Sequence, residues 1–200
     1  MNPNTTEIVA KLWRECKTLQ SAGVSYSNYV NELTYLLFLK MLEETGQENR
    51  LSNGHSWRKL VSTEGGDQLR YYKEMLLELG NPEKTKDPVT LAIFTDAMTH
   101  LRLPKDLKTL TTNIDKLDWF SARDLFKLSE AKAHFQRHQA FVGHEWVPDT
   151  HRLCVMNMIL HGIESLVGCE DSCAPQGENM GKANVILTNP PFNKMSGNVN

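Results

Sequence analysis

The first half of the chain repeats apolar residues at the spacing of α-helices. Asn4 and Glu7 have the spacing of a capping box, which predicts the start of a helix. One apolar face at helical spacing then follows, made of Ile8, Val9, Leu12, Trp13, Cys16 and Leu19. After Gly23, residues 28–44 carry apolar side chains around more than one face. That distribution predicts a second helix at the centre of a bundle, because every side of it needs burial.

Turn signals divide the next residues into shorter elements. The pattern predicts a loop with one short turn at 45–66 and helices at 67–79, 87–101 and 104–117. A Gly-Asn-Pro sequence beginning at Gly80 ends the first of these helices. Asp87 is the expected N-cap of the next helix, with Pro88 at its first position. Together these segments predict an all-α domain over residues 1–118.

From residue 119 onward the pattern changes, because short apolar runs alternate with helical segments. The predicted elements are helices at 121–138 and 150–161, the latter capped by Pro148-Asp149, and strands at 140–145, 163–169 and 184–188. Strands alternating with helices are typical of an α/β sheet, in which ligands bind outside the carboxyl ends of the strands. Three polar residues occupy such positions: Glu145, Asp171 and Asn189. The predicted fold class is therefore α + α/β, with a helical domain over 1–118 and part of a sheet over 119–200.

Composition and charge indicate a soluble globular protein. Of the 200 residues, 40% are hydrophobic and 23% are charged, and the net charge is −2. This charge does not favour independent binding to DNA, although a subunit could reach DNA with a more basic partner. The N-terminus lacks the pattern of a signal peptide, and residues 29–42 are too short and too polar to span a bilayer. We therefore expect a cytoplasmic protein without a membrane segment.

The cysteines and histidines do not form the spacing of a metal site. The four cysteines are Cys16, Cys154, Cys169 and Cys173, and none of them forms a C-x-x-C pair. Cys169 and Cys173, with His161 nearby, lack the paired spacing of a structural zinc site. His134 and His138 are four residues apart without a surrounding H-E-x-x-H motif. We expect free thiols, solvated histidines and no metal.

The Asn-Pro-Pro-Phe sequence at 189–192 fits the methylation of an exocyclic amine. The amide oxygen of Asn189 and the carbonyl of Pro190 could accept hydrogen bonds from the amine and direct its lone pair at a methyl donor. Pro190 and Pro191 lack N–H donors and have fixed φ angles, which would hold those carbonyls rigidly. Phe192 offers an aromatic face for a base taken out of the duplex. The alternative is ordinary turn chemistry, since Asn-Pro-Pro is also a common turn sequence.

Two acidic residues suggest a cofactor site upstream of this motif. Glu145, at the end of a predicted strand, could accept hydrogen bonds from both hydroxyls of a ribose. Asp171 could accept one from the amino group of an adenine. The alternative is local, because an acid at a strand end often only caps a helix.

Several segments together resemble a known family. They are L-W-R-E-C at 12–16, Y-L-L-F-L-K-M-L at 35–42, D-W-F-S-A-R-D at 118–124, F-V-G-H-E-W-V-P-D-T-H-R-L-C-V-M-N-M-I-L-H-G-I at 141–163, and A-N-V-I-L-T-N-P-P-F at 183–192. With these segments the chain resembles the modification subunit of type I restriction–modification systems. That subunit is an adenine-N6 DNA methyltransferase, and it works with a specificity subunit. Asn-Pro-Pro-Phe alone would also fit methyltransferases that act on protein glutamine or ribosomal RNA.

The resemblance implies a fold, a cofactor and partners. The fold would be an N-terminal helical bundle followed by part of a Rossmann-like sheet that binds S-adenosylmethionine. Glu145 would hold the ribose of S-adenosylmethionine, Asp171 would approach its adenine, and Asn189 would lie at both cofactor and target. The segment Asn189-Pro190-Pro191-Phe192 would hold the target adenine. The expected partners are DNA and the specificity and restriction subunits of a type I system.

The chain also departs from the family pattern. The family has a glycine-rich turn before the segment that matches Phe141, and this turn accepts the methionine end of the cofactor. Between Arg123 and Phe141 there is no glycine, since the first glycine after Gly80 is Gly143. We therefore expect that an internal block is missing and that the family's later strands and helices would lie beyond Asn200. Little or no binding of S-adenosylmethionine is expected, and the alternative function is a non-catalytic remnant whose helical domain binds the specificity subunit or DNA.

Overall fold

The computed structural model describes residues 25–116, 134–135, 137–164 and 167–188. Its helices are α1 (Tyr26–Glu44), α2 (Trp57–Ser62), α3 (Gly65–Leu79), α4 (Pro88–Phe94), α5 (Pro104–Asp115) and α6 (Pro148–Leu160). Its strands are β1 (Gly143–His144) and β2 (Val167–Gly168), and 3-10 turns lie at Glu48–Arg50, Ser52–Gly54 and Pro175–Met180. The predicted first helix, the predicted domain boundary and the Asn-Pro-Pro-Phe motif lie outside the described residues. None of the described helices is long and apolar enough to cross a membrane.

Helix α1 is the centre of the bundle, as the sequence predicts. The Ser25 side chain caps its start by accepting a hydrogen bond from the Asn28 backbone N–H at 3.4 Å. Leu36, Phe38 and Leu39 are fully buried, although they project in different directions around the helix. This burial is possible because α1 contacts α2, α4, α5 and α6.

The prediction of a loop at 45–66 is wrong for its second part, which contains α2. The Ser56 side chain caps this helix by accepting from the Lys59 backbone N–H at 3.1 Å. Trp57 is fully buried, and its indole Nε1–H donates to Asp115 Oδ1 at 2.7 Å. A six-residue helix has no sequence periodicity of its own, so its stability comes from burying Trp57 and Leu60.

The helix predicted at 87–101 begins where expected but ends early, at Phe94. The Asp87 carboxylate accepts from the Thr90 backbone N–H at 2.7 Å, which confirms the predicted N-cap. Two residues after the end of α4, Asp96 adopts a left-handed conformation with φ of 54°. The carbonyls at this end bind a side chain of α6 instead of continuing the helix, so a tertiary contact sets its length.

The described residues of the α/β part form two short parallel strands joined by α6. Gly143 pairs with Val167 and His144 with Gly168, so β1 and β2 are shorter than the predicted strands. Helix α6 begins at Pro148 rather than Thr150, and no side chain caps it; Asp149 lies in its first turn. Its Val155 and Met156 are buried in the same core as the bundle residues.

The predicted strand at 184–188 is not a strand in the structure. Val185, Ile186 and Leu187 are 74%, 78% and 93% exposed, and this segment pairs with neither β1 nor β2. A strand requires the hydrogen bonds of a neighbour, so a β-branched sequence alone does not form one.

Candidate cofactor edge

Glu145 lies at the carboxyl end of β1, as predicted, and is half-buried. Its backbone N–H donates to the Gly168 carbonyl at 2.9 Å, which extends the pairing of β1 with β2. Its Oε1 accepts from the Val147 backbone N–H at 2.8 Å, directly before α6 begins at Pro148. One oxygen of the carboxylate therefore orders the turn between β1 and α6. This is the local role that an acid at a strand end commonly has, and it leaves Oε2 as a further acceptor.

Asp171 lies in the turn that follows β2. Its Oδ1 accepts from the Cys173 backbone N–H at 2.8 Å, and its carbonyl accepts from the Ala174 N–H at 3.1 Å. Further along, a Cβ on Gly177 would collide with the Ser172 carbonyl, so this tight turn requires glycine there. Because β1 and β2 are parallel neighbours, Glu145 and Asp171 follow their strands at the same edge of the sheet.

The chemistry of this edge is that of hydrogen-bond acceptors. Among the described residues, neither Glu145 nor Asp171 forms a salt bridge, so each carboxylate has an oxygen available for a hydroxyl or amino group. Burial, and then the negative charge of Glu145, raise the pKa of the Cys154 thiol. The edge is thus acidic and suited to a ligand that presents several O–H or N–H donors.

S-adenosylmethionine fits this acceptor set only in part. Glu145 could accept hydrogen bonds from the hydroxyls of its ribose, and Asp171 could accept one from the amino group of its adenine. The methionine end would need the glycine-rich turn that the sequence between Arg123 and Phe141 lacks. The residues that are present therefore suit the nucleoside half of the cofactor. Asn189 and the rest of its motif lie outside the described residues, and their role stays a prediction.

The structure describes three of the four cysteines and both histidines of the pair that the sequence predicts to be solvated. Cys154 is half-buried, and Cys169 and Cys173 are exposed; all three are free thiols. His134 and His138 are exposed, with ring centroids 4.6 Å apart. In the described part of the chain, no group of three or more His, Cys, Asp or Glu residues could hold a metal ion.

The sequence interpretation missed that charged residues are buried in the core, among them Glu32 and Arg152. Glu32 on α1 is fully buried, and Arg152 on α6 is 4% exposed. Burial raises the pKa of Glu32 to about 7. Each residue interrupts an apolar helical face, and this position was the sequence signal for its burial. A charge inside such a face needs buried hydrogen-bond partners.

Comparisons with known proteins define the class and then the family. Residues 122–199, which include β1, α6 and β2, match the family described as N-6 DNA Methylase. Residues 8–140 match the family described as the HsdM N-terminal domain. The chain belongs to this HsdM family.

The relatives are methylase subunits of type I restriction enzymes. The chain is 33% identical to the EcoKI methylase subunit of Escherichia coli (strain K12), over 97% of this chain and 52% of that protein. It is also 33% identical to the StySJI methylase subunit of Salmonella typhimurium, with the same coverage. The crystal structure of the EcoKI M protein matches with a TM-score of 0.51 and 34% identity, covering 93% of this chain and 48% of that one. The chain thus spans about half the length of these relatives.

The alignment also shows that internal positions are missing. It extends over 276 positions, whereas this chain has 200 residues, so at least 76 positions of the E. coli relative have no counterpart here. This agrees with an internally shortened chain. The predicted location of the missing block, between Arg123 and Phe141, stays a prediction.

Proposed function

We propose that this chain is a shortened modification subunit of a type I restriction–modification system, of the kind that transfers a methyl group from S-adenosylmethionine to N6 of adenine in DNA. The observation that carries the proposal is the order of the two family matches along the chain, 8–140 and then 122–199. The second match includes Glu145 and Asp171 at one sheet edge and the Asn-Pro-Pro-Phe motif. This order fits a helical module that precedes a methyl-transfer site in the chain.

The proposed roles follow from the chemistry of each residue. Glu145 accepts from the ribose hydroxyls and Asp171 from the amino group of the cofactor's adenine. Asn189 and Pro190 accept from the amine of the target base, and Phe192 stacks on that base. S-adenosylmethionine, when bound, supplies an electrophilic methyl group. The residues of this chain would orient the two reactants, which is where positioned polar groups contribute to rate.

The proposed partners are DNA, a specificity subunit and a restriction subunit. With a net charge of −2, this chain does not present the basic field that attracts DNA by itself. A more basic specificity subunit would supply that attraction and would also select the DNA sequence. The proposal therefore assigns methyl transfer to a complex rather than to the isolated chain.

Methyl transfer by the complex is the direct test. Labelled S-adenosylmethionine, DNA with a cognate site and the specificity subunit are mixed with the wild-type chain or with Asn189→Ala. Incorporation of label by the wild type that the substitution abolishes would support the proposal. No incorporation by a folded wild-type complex would refute catalysis by this chain.

Calorimetric titration with S-adenosylmethionine examines the cofactor edge separately. We expect little or no binding by the isolated chain, because no glycine turn is available for the methionine end. If saturable binding occurs, Glu145→Ala should abolish it, whereas Glu170→Ala should not. Glu170 is the matched control because it is another acid beside β2 with its side chain half exposed; it forms a 3.8 Å ion pair with His144 and, among the described residues, does not bond to Glu145.

A second function is favoured by a specific observation. At least 76 aligned positions are missing relative to the E. coli subunit, and the apolar segment at 185–187 is exposed rather than paired. These features fit a non-catalytic remnant whose helical module still binds the specificity subunit or DNA. A pull-down with the specificity subunit tests it, and here Asn189→Ala should have no effect. Failure to recover the subunit would refute this function.

A third function, methyl transfer to protein or RNA, has weaker support. It would retain the Asn-Pro-Pro-Phe motif and change the substrate. The match of residues 8–140 to the HsdM N-terminal domain argues against it, because that domain belongs to the DNA-modifying family. Methyl transfer to a protein or RNA substrate, with none to DNA, would reverse this ranking.

A further inference from the structure

The first two turns of α6 bond to three other elements. Asp149 Oδ1 accepts from the side-chain amide of Asn31 on α1 at 3.3 Å. His151 is buried, and its Nε2–H donates to the carbonyl of Val167 in β2 at 2.6 Å. Arg152 reaches the end of α4. Helix α6 therefore connects the strands to the helical module through side chains that lie within four residues of one another.

Arg152 makes the most extensive of these connections. Its Nε donates to the Ile93 carbonyl at 2.7 Å, and one terminal nitrogen donates to the Thr95 carbonyl at 2.7 Å. The other terminal nitrogen donates to Asp149 Oδ1 at 2.7 Å, and the guanidinium lies 5.3 Å from the centre of the Tyr35 ring. The last carbonyls of α4 have no partner within their own helix, so the arginine satisfies them and its own buried donors together.

The strands alone cannot hold this edge. In the part of the chain that the structure describes, β1 and β2 have two residues each and no third strand pairs with them, and a two-stranded sheet alone is at best marginally stable in water. Glu145 is joined to β2 by one backbone hydrogen bond and to the start of α6 by its own carboxylate. The position of Glu145 therefore depends on where α6 lies.

We propose that Arg152 is a positioning residue that fixes Glu145 relative to the helical module, so that the edge and the module behave as one cooperative unit. The importance of Glu145 as a ligand contact rests on the proposed function. The mechanical connection does not, since it follows from the contacts of α6. A ligand that binds the sheet edge would then change the stability of the helical module, and a ligand that binds the module would change that of the edge, because both pack against α6.

Amide hydrogen exchange on the intact chain tests the connection without any ligand. Arg152→Met removes the donors but keeps an unbranched side chain at this position. We expect the amides of Glu145 and α6 to exchange about tenfold faster, while those of α3 and α5 stay within about twofold of wild type. The control is Arg70→Met on α3. Arg70 is 70% exposed and pairs with Asp67 at the surface, so no amide should change.

Two results would overturn the proposal. One is unchanged exchange at Glu145 in Arg152→Met. The other is equal acceleration in α3, α5 and α6, which would mean that Arg152 contributes only to global stability. If Arg152→Met does not fold, Asp149→Asn is used in its place. The Asp149 side chain is 59% exposed and pairs with Arg152, so this substitution weakens the same connection with less risk to folding. A larger acceleration over wild type at the amide of Glu145 than at the amides of α3 would then support the proposal, and wild-type exchange at Glu145 would overturn it.

Ligand binding provides an independent readout. If the wild type binds S-adenosylmethionine, Arg152→Met should weaken that binding about tenfold, with Arg70→Met unchanged. Wild-type affinity in Arg152→Met would overturn the positioning role. If the isolated wild type does not bind, as expected without the glycine turn, the exchange experiment alone decides the connection.

Discussion

The buried carboxyl of Glu32 should make the stability of the helical module depend on pH. Glu32 is fully buried on α1, and it accepts from the Tyr72 hydroxyl at 3.1 Å and from the His100 backbone N–H at 2.8 Å. Burial raises its pKa to about 7 from 4.5, although hydrogen bonds from Thr99, His100 and Tyr72 act to lower it. No cation of the described residues is among the groups that shift this pKa, so ionisation in the folded state is unfavourable.

The sign and the size follow from proton linkage. Because the folded pKa lies above the unfolded one, the stability from this group is fully present below about pH 4.5 and is lost as pH rises through about 7. A difference between about 7 and 4.5, at about 1.36 kcal/mol per unit, corresponds to about 3 kcal/mol. Glu32→Gln resembles the protonated form, since its amide can accept from the His100 N–H and donate to the Tyr72 oxygen.

Urea unfolding followed by circular dichroism measures this effect. We expect Glu32→Gln to be about as stable as wild type near pH 5 and more stable by up to about 3 kcal/mol near pH 8. Glu74→Gln, at an exposed position of α3, is the matched control and should follow wild type at every pH. A constant difference between wild type and Glu32→Gln across this range would refute the reasoning, because it would mean that Glu32 does not titrate there.

Three further predictions concern local structure. Gly80→Ala should destabilise the protein by about 2 kcal/mol or more in thermal unfolding, since the new Cβ would collide with the Phe94 carbonyl; a wild-type melting temperature would contradict this. Asp87→Ala should cost about 1 kcal/mol in urea unfolding by removing the cap of α4, and Asp87→Asn, which can still cap, should cost less. Hydrogen bonds, of which that from Lys84 has the largest effect, lower the pKa of Glu78 from 4.5 to about 2. Glu78→Gln should therefore lower the free energy of unfolding near neutral pH, and this loss should shrink as pH falls from 4.5 towards 2. A loss that does not depend on pH would contradict this prediction.

The sequence alone determined the elements whose information is local. The centre of the bundle could be predicted because α1 carries apolar residues around more than one face, and the start of α4 because Asp87 and Pro88 are both start signals. The placement of Glu145 after a strand followed from the same kind of pattern. Such features depend on residues that are close in sequence, so the periodic pattern of the sequence is enough to predict them. The family was likewise visible in the order of the motifs, which the comparisons confirm.

The tertiary structure decided the features that depend on residues far apart in sequence. Helix α4 ends at Phe94 because Arg152, which lies 59 positions after Ile93, binds the carbonyls at this end. Helix α2 forms because the bundle buries Trp57. The segment at 184–188 is not a strand because no neighbouring strand pairs with it in the described part of the chain. Helix termini, short helices and strands complete their hydrogen bonds and burial through such distant partners, and a one-dimensional pattern does not contain those partners.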